Sequence, residues 1–113
     1  MINKFRVAFK GLFNALNDKS VKLQVILGII AICAGFVVKL DYIEWLFFVI
    51  CIGAVIAMEI VNTAIEKLCD LIDSEYNPKI AYIKDVAAGA VLFVCIMAVV
   101  VCLIIFVHKM GGN

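Results

Sequence analysis

Three runs of apolar residues, over about 21–38, 44–66 and 86–107, are each close to the ~20 helical residues that cross a bilayer core. No other feature limits the possible folds as severely. Hydrophobic residues make up 66% of the 113-residue chain and the mean hydropathy is +1.16, against ~45–50% apolar residues in an ordinary soluble domain. A globule of this size has too little interior to hide that much apolar surface. The chain is therefore read as an all-α membrane protein with a single domain over residues 1–113. The net charge is +1, which implies no bulk attraction to nucleic acid. The cysteines Cys33, Cys51, Cys69, Cys95 and Cys102 form no C-x-x-C pair and read as small hydrophobes.

Ahead of the spans, Phe5, Phe9, Leu12, Phe13 and Leu16 recur at helical spacing, with Arg6, Lys10 and Asn14 on the other side. Basic residues are interleaved with the apolar ones and no small-residue cleavage site follows cleanly, unlike a secretory signal. Residues 1–17 are expected to form an amphipathic helix lying in the headgroup plane. A turn at Asn17-Asp18-Lys19-Ser20 then leads into the first span. Trp45 and Tyr42 suit a membrane interface at the start of the second. Residues 74–82, with the only proline, Pro78, are expected to be a loop, and residues 108–113 a polar tail. Lysine and arginine counts orient the chain. Lys4, Arg6, Lys10, Lys19 and Lys22 lie at the N-terminal side, and Lys67, Lys79 and Lys84 around the second connection. The first connection and the tail hold one lysine each, Lys39 and Lys109. The N-terminal segment and second connection should face the cytoplasm, with the first connection and the tail outside.

The chemistry is expected between residues 57 and 85. At 100° per residue, Asn62, Asp73, Glu66, Glu59 and Asp70 fall within an arc of roughly 80° on one helix. A carboxylate at membrane depth costs at least ~2.5 kcal/mol, so a row of them calls for a polar partner. Carboxylates beside Lys84 and Asp85 suit a polyphosphate carried by Mg²⁺, which takes one or two protein carboxylates and shares phosphate oxygens. Glu59 is more than a turn deeper, in a less polar setting. That suits a carboxylate that takes a proton from an alcohol near neutral pH. The arrangement fits phosphoryl transfer to a lipid hydroxyl, without a Walker A motif, a kinase glycine loop or G-x-G-x-x-G. The plainer alternatives are a solvated helix end for Glu66, Asp70 and Asp73, interhelical packing for Glu59 and Asn62, and a snorkelling anchor for Lys84.

Glu59-Ile60-Val61-Asn62-Thr63-Ala64-Ile65-Glu66, then Asp70, Ser74-Glu75-Tyr76, and AYIKDVAAGAVL over 81–92, closely resemble the prokaryotic diacylglycerol kinase family, which includes undecaprenol kinases. The E-x-x-N-[ST]-A-I-E core and K-D-x-x-x-[AG]-A-V-L carry the resemblance, and it extends over nearly the whole chain. It implies a homotrimer of subunits with a surface helix and three spans, MgATP as donor, and a lipid alcohol as acceptor. By motif, Glu59 matches the catalytic base and a contact to the acceptor, and Glu66 a metal-coordinating carboxylate. Asp18 is the nearest match to a second metal carboxylate, which in the family is glutamate. Asn62, Glu66, Asp70, Glu75, Tyr76, Asn77, Lys84 and Asp85 match positions around the nucleotide; Asn77 stands where histidine is frequent. Ala88, where the diacylglycerol-specific branch tends to have serine, gives the third span an undecaprenol-kinase look. Undecaprenol is thus the expected acceptor and diacylglycerol the alternative. A rival class is a small transporter binding protons or cations at Glu59, although its polar groups would cluster at one side only. A non-catalytic membrane subunit packing through Gly53 and Ala57 would leave Glu59 and Glu66 without a reason.

Overall fold

The computed structural model describes residues 2–111. All regular elements among them are helices: α1 (Ile2–Leu16), α2 (Lys19–Val37), α3 (Tyr42–Ile72) and α4 (Pro78–Gly111). The last three are long and apolar enough to cross a membrane. At 1.5 Å per residue, the 31 residues of α3 reach about 46 Å, beyond the ~30 Å of a bilayer core. Its last two turns, with Glu66 and Asp70, can therefore project past the apolar layer.

Helix α3 is the shared element, packing most extensively on α4 and less on α2, while α1 touches α2. The bundle has little interior. Among the described hydrophobic residues only Val21, Cys69, Ile80 and Ala87 are buried, while apolar side chains along α2, α3 and α4 stand exposed. Such a surface needs lipid or further helices over it. None of α1 is buried, and Phe5, Phe9 and Phe13 are all exposed, as befits a helix with an apolar face laid on a membrane.

The ends are fixed by local chemistry. At the close of α2, Lys39 takes φ 58°, the left-handed conformation usually given to glycine. The Leu40 N–H then returns to the Gly35 carbonyl at 3.2 Å. Helix α3 opens on a reciprocal cap, in which Asp41 accepts from the Glu44 N–H at 2.9 Å and Glu44 accepts from the Asp41 N–H at 3.0 Å. Lys109, in the last turn of α4, closes this end of the bundle. Its ammonium is 2.9 Å from Glu44 Oε1 and donates to the Lys39 carbonyl at 3.0 Å.

The second connection is shorter than the 74–82 loop expected from sequence, because α4 already starts at Pro78. Proline is favoured at the first helical position, where no N–H is needed. Asn77 caps that start, its Oδ1 accepting from the Lys79 N–H at 3.0 Å. At the other end helix continues through His108 and Lys109 to Gly111, so the expected polar tail is helical to that point. Residues 112 and 113 lie outside the described part.

Two glycines of α2 lie close against α3 and the turn that precedes it. A Cβ on Gly28 would meet Ile52 at 3.0 Å, and one on Gly35 would lie 2.7 Å from the Trp45 ring and 3.1 Å from Leu40. Trp45 has little room to yield, with Phe36 at 4.9 Å and Phe48 at 5.9 Å between ring centroids. Gly35→Ala gains ~1 kcal/mol of helix propensity but overpacks this contact at a cost of ~1–3 kcal/mol. We expect a lower unfolding midpoint in detergent for Gly35→Ala. Gly11→Ala, with nothing within 4 Å of the added carbon, should not lower it.

Candidate active site

The polar residues gather at the C-terminal end of α3. Glu59 and Asn62 are each 8% exposed and Thr63 6%, while Glu66 and Asp70 are exposed. The acidic stripe thus runs from the buried Glu59 to a solvated end along one helix face. Asp73 does not extend it: this residue is the C-cap in extended conformation (φ −156°, ψ 113°), so the helical arithmetic stops one residue before it. Its carboxylate holds the connection instead, accepting from the Glu75 N–H at 3.0 Å and from Asn77 Nδ2 at 3.2 Å. Asn77 therefore spends both ends of its amide on the turn and the start of α4.

Two neighbouring helices reach α3 on this face. From the start of α2, Asp18 Oδ2 accepts from Thr63 Oγ1 at 3.4 Å and from the Ser20 N–H at 3.1 Å. From α4, the Lys84 ammonium meets Asp70 Oδ1 at 2.7 Å. Glu66 lies between these two crossings, one turn after Thr63 and one before Asp70. The hydrogen bond to Asp70, and to a lesser degree the charge of Glu66, favour the ammonium form of Lys84, which stands ahead of the apolar stretch 86–107. Both members of the Lys84–Asp70 pair are substantially exposed. Such pairs contribute little to stability, so an incoming anion can take Lys84 over at small cost.

Two recesses open at this end. One of about 200 Å³ is lined by Asp73, Ser74, Glu75, Tyr76, Asn77, Ile80, Ala81 and Lys84. The other, wider and about 410 Å³, is lined by Asn14, Asn17, Asp18, Lys19 and Lys67. Tyr76 is 84% exposed, and Glu75, Asp85 and Ala88 are exposed as well. Of the residues expected from sequence, Glu59, Asn62, Glu66 and Asp70 share one face of α3, Asp18 and Lys84 come to that face, and Glu75, Tyr76 and Asn77 belong to the connection beside it. Thr63, Lys19 and Lys67 were not among the residues expected from sequence. Thr63 had a signal, since it falls four residues after Glu59 and at the edge of the polar arc.

The oxygen donors suit Mg²⁺, a hard cation that prefers such ligands and keeps several waters. Asn62 Oδ1 is buried with no hydrogen-bond partner, and the two hydrogen bonds described for the Asp18 carboxylate both fall on Oδ2. No group of three or more His, Cys, Asp or Glu gathers among the described residues.

Comparison with known proteins gives the family. The sequence pattern of the prokaryotic diacylglycerol kinases matches residues 6–106, nearly the whole chain. The chain belongs to that family. It is 40% identical over 81 residues to the undecaprenol kinase of Bacillus subtilis (strain 168), covering 72% of this chain and 65% of that protein. It is 30% identical over 103 residues to the diacylglycerol kinase of Synechocystis sp., covering 89% of this chain and 59% of the other. With the diacylglycerol kinase of Escherichia coli (strain K12) identity is 29% over 103 residues, covering 89% and 84%. The chain thus spans somewhat under two thirds of the first two relatives' length.

Proposed function

We propose that this chain is an integral membrane lipid kinase that transfers the γ-phosphoryl group of MgATP to the hydroxyl of a membrane lipid alcohol. Undecaprenol is the favoured acceptor and diacylglycerol the alternative. The observation that carries the reading is the sequence of environments along α3, from buried Glu59 and Asn62 to exposed Glu66 and Asp70, with Asp18 and Lys84 brought in from α2 and α4.

In this reading Glu59 accepts the hydroxyl proton as the alcohol oxygen bonds to the γ-phosphorus and the bond to the ADP leaving oxygen breaks. Burial keeps water from competing for the phosphoryl group. Lys84 exchanges Asp70 for phosphate oxygens. Glu66 and Asp18 hold Mg²⁺, which neutralises phosphate charge when bound. Asn62, Glu75, Tyr76 and Asp85 surround the nucleotide, with Asn77 shaping the connection, and Ala88 borders the acceptor. The recess beside Lys84, about 200 Å³, is smaller than the ~300–1,000 Å³ of typical ligand sites. That, and the exposed apolar faces of α2–α4, support a homotrimer in which another copy completes the site. The lysine and arginine distribution supports a site on the cytoplasmic side of the bacterial plasma membrane.

Incubating the purified protein in detergent with labelled ATP, Mg²⁺, and separately undecaprenol, diacylglycerol and ceramide tests this directly. Label is expected chiefly in undecaprenyl phosphate. Preferential labelling of diacylglycerol would transfer the assignment to the alternative acceptor, and no labelled lipid would end the kinase reading. The 40% identity to an undecaprenol kinase, against 29–30% for the diacylglycerol kinases, supports the first outcome.

A further inference from the structure

We propose that Thr63 is a positioning residue for the Asp18 carboxylate, locking the start of α2 onto α3 so that the remaining carboxylate oxygen serves the metal. The inference rests on the kinase reading for its purpose but on separate observations for its geometry. Thr63 is 6% exposed, and its hydroxyl reaches across 45 positions of sequence to Asp18 Oδ2 at 3.4 Å. The Ser20 N–H, in the first turn of α2, holds the same oxygen at 3.1 Å. Two donors meet Oδ2, the Ser20 N–H and, at longer range, the Thr63 hydroxyl, and neither occupies Oδ1. Asp18 also caps α2 in extended backbone conformation (φ −74°, ψ 139°), so its position is set by the helix as well as by Thr63.

The bond has a chemical use. It docks Asp18 on α3 at Thr63, one turn after Glu59 and one turn before Glu66. The hydroxyl donates to the charged carboxylate and does not compete for a cation. A partner that orients a metal ligand in this way commonly contributes about 10-fold to 100-fold in metal affinity. The length of this hydrogen bond favours the lower figure.

The test compares wild type with Thr63→Val, Thr63→Ser, Asp18→Asn and the Thr63→Val/Asp18→Asn double variant. Mn²⁺ binding is followed by electron paramagnetic resonance with a non-hydrolysable ATP analogue. Thr63→Val should weaken Mn²⁺ binding about 10-fold, Thr63→Ser should restore most of it, and the double variant should bind no more weakly than Asp18→Asn alone. Hydrogen exchange at the Ser20 amide, measured without nucleotide, should speed several-fold in Thr63→Val and not in Thr63→Ser. Unchanged Ser20 exchange in Thr63→Val overturns the proposal, as does a Thr63→Val loss of Mn²⁺ affinity that persists in full on Asp18→Asn. Failure of the kinase reading is seen elsewhere, as a wild-type protein that phosphorylates no lipid alcohol, and in that event the exchange measurement still decides whether Thr63 positions Asp18.

Discussion

Glu59→Gln is expected to lower lipid phosphorylation at least 100-fold, in line with the ~10²–10⁴ contributed by a positioned general base. ATP binding should stay within about twofold of wild type, because the amide keeps the shape of the side chain and, in the proposed reading, Glu59 meets the acceptor hydroxyl rather than the nucleotide. The residue is 8% exposed, so the substitution exchanges a buried acid for a neutral group of nearly equal size. A swap that conserves volume in this way is well tolerated, and loss of activity by unfolding is therefore not expected. The comparison requires initial rates, nucleotide affinity and the unfolding midpoint in the same detergent. Turnover near the wild-type rate would remove Glu59 from the base role, whatever its burial.

Burial of Glu59 and Asn62 could be anticipated because it follows from local rules: helical spacing, an apolar run, and the cost of a charge within it. The same rules anticipate the three long helices and the amphipathic α1. They misjudge the second connection, where Asn77-Pro78 looks like a loop signal but is the cap and first residue of α4. They also extend the acidic stripe one residue too far, since Asp73 has left helical conformation. What local spacing cannot supply is partnership at long range. Asp41-x-x-Glu44 is legible as a capping pair, yet nothing near it names Lys109 as the cation that joins it. Thr63 and Asp18 lie 45 positions apart, and only the packing of α2 on α3 brings them together. The candidate residues that share α3 were readable from its spacing, whereas Asp18 and Lys84 were named from charge and resemblance and needed the fold to show that they meet Thr63 and Asp70.

Glu66→Gln should leave a different signature from Glu59→Gln. Glu66 is exposed, so neutralising it is expected to change stability by no more than ~0.5 kcal/mol. In the proposed reading, however, it is one of two carboxylates that hold Mg²⁺, and would carry a large share of the protein's hold on the cation. We expect the Mg²⁺ concentration for half-maximal activity to rise about 10-fold, equivalent to ~1.4 kcal/mol, with the maximal rate largely recovered when Mg²⁺ is raised to match. No amount of Mg²⁺ should rescue Glu59→Gln, because a missing base is not replaced by tighter metal binding. A titration of both variants over the same Mg²⁺ range therefore separates the two roles in one experiment. If Glu66→Gln keeps the wild-type midpoint, the cation is held without it, and the carboxylate belongs to the solvated end of α3 rather than to the site. If both variants lose rate at saturating Mg²⁺, Glu66 acts on the transferred group itself, and the division between a buried base and a shallower metal ligand fails.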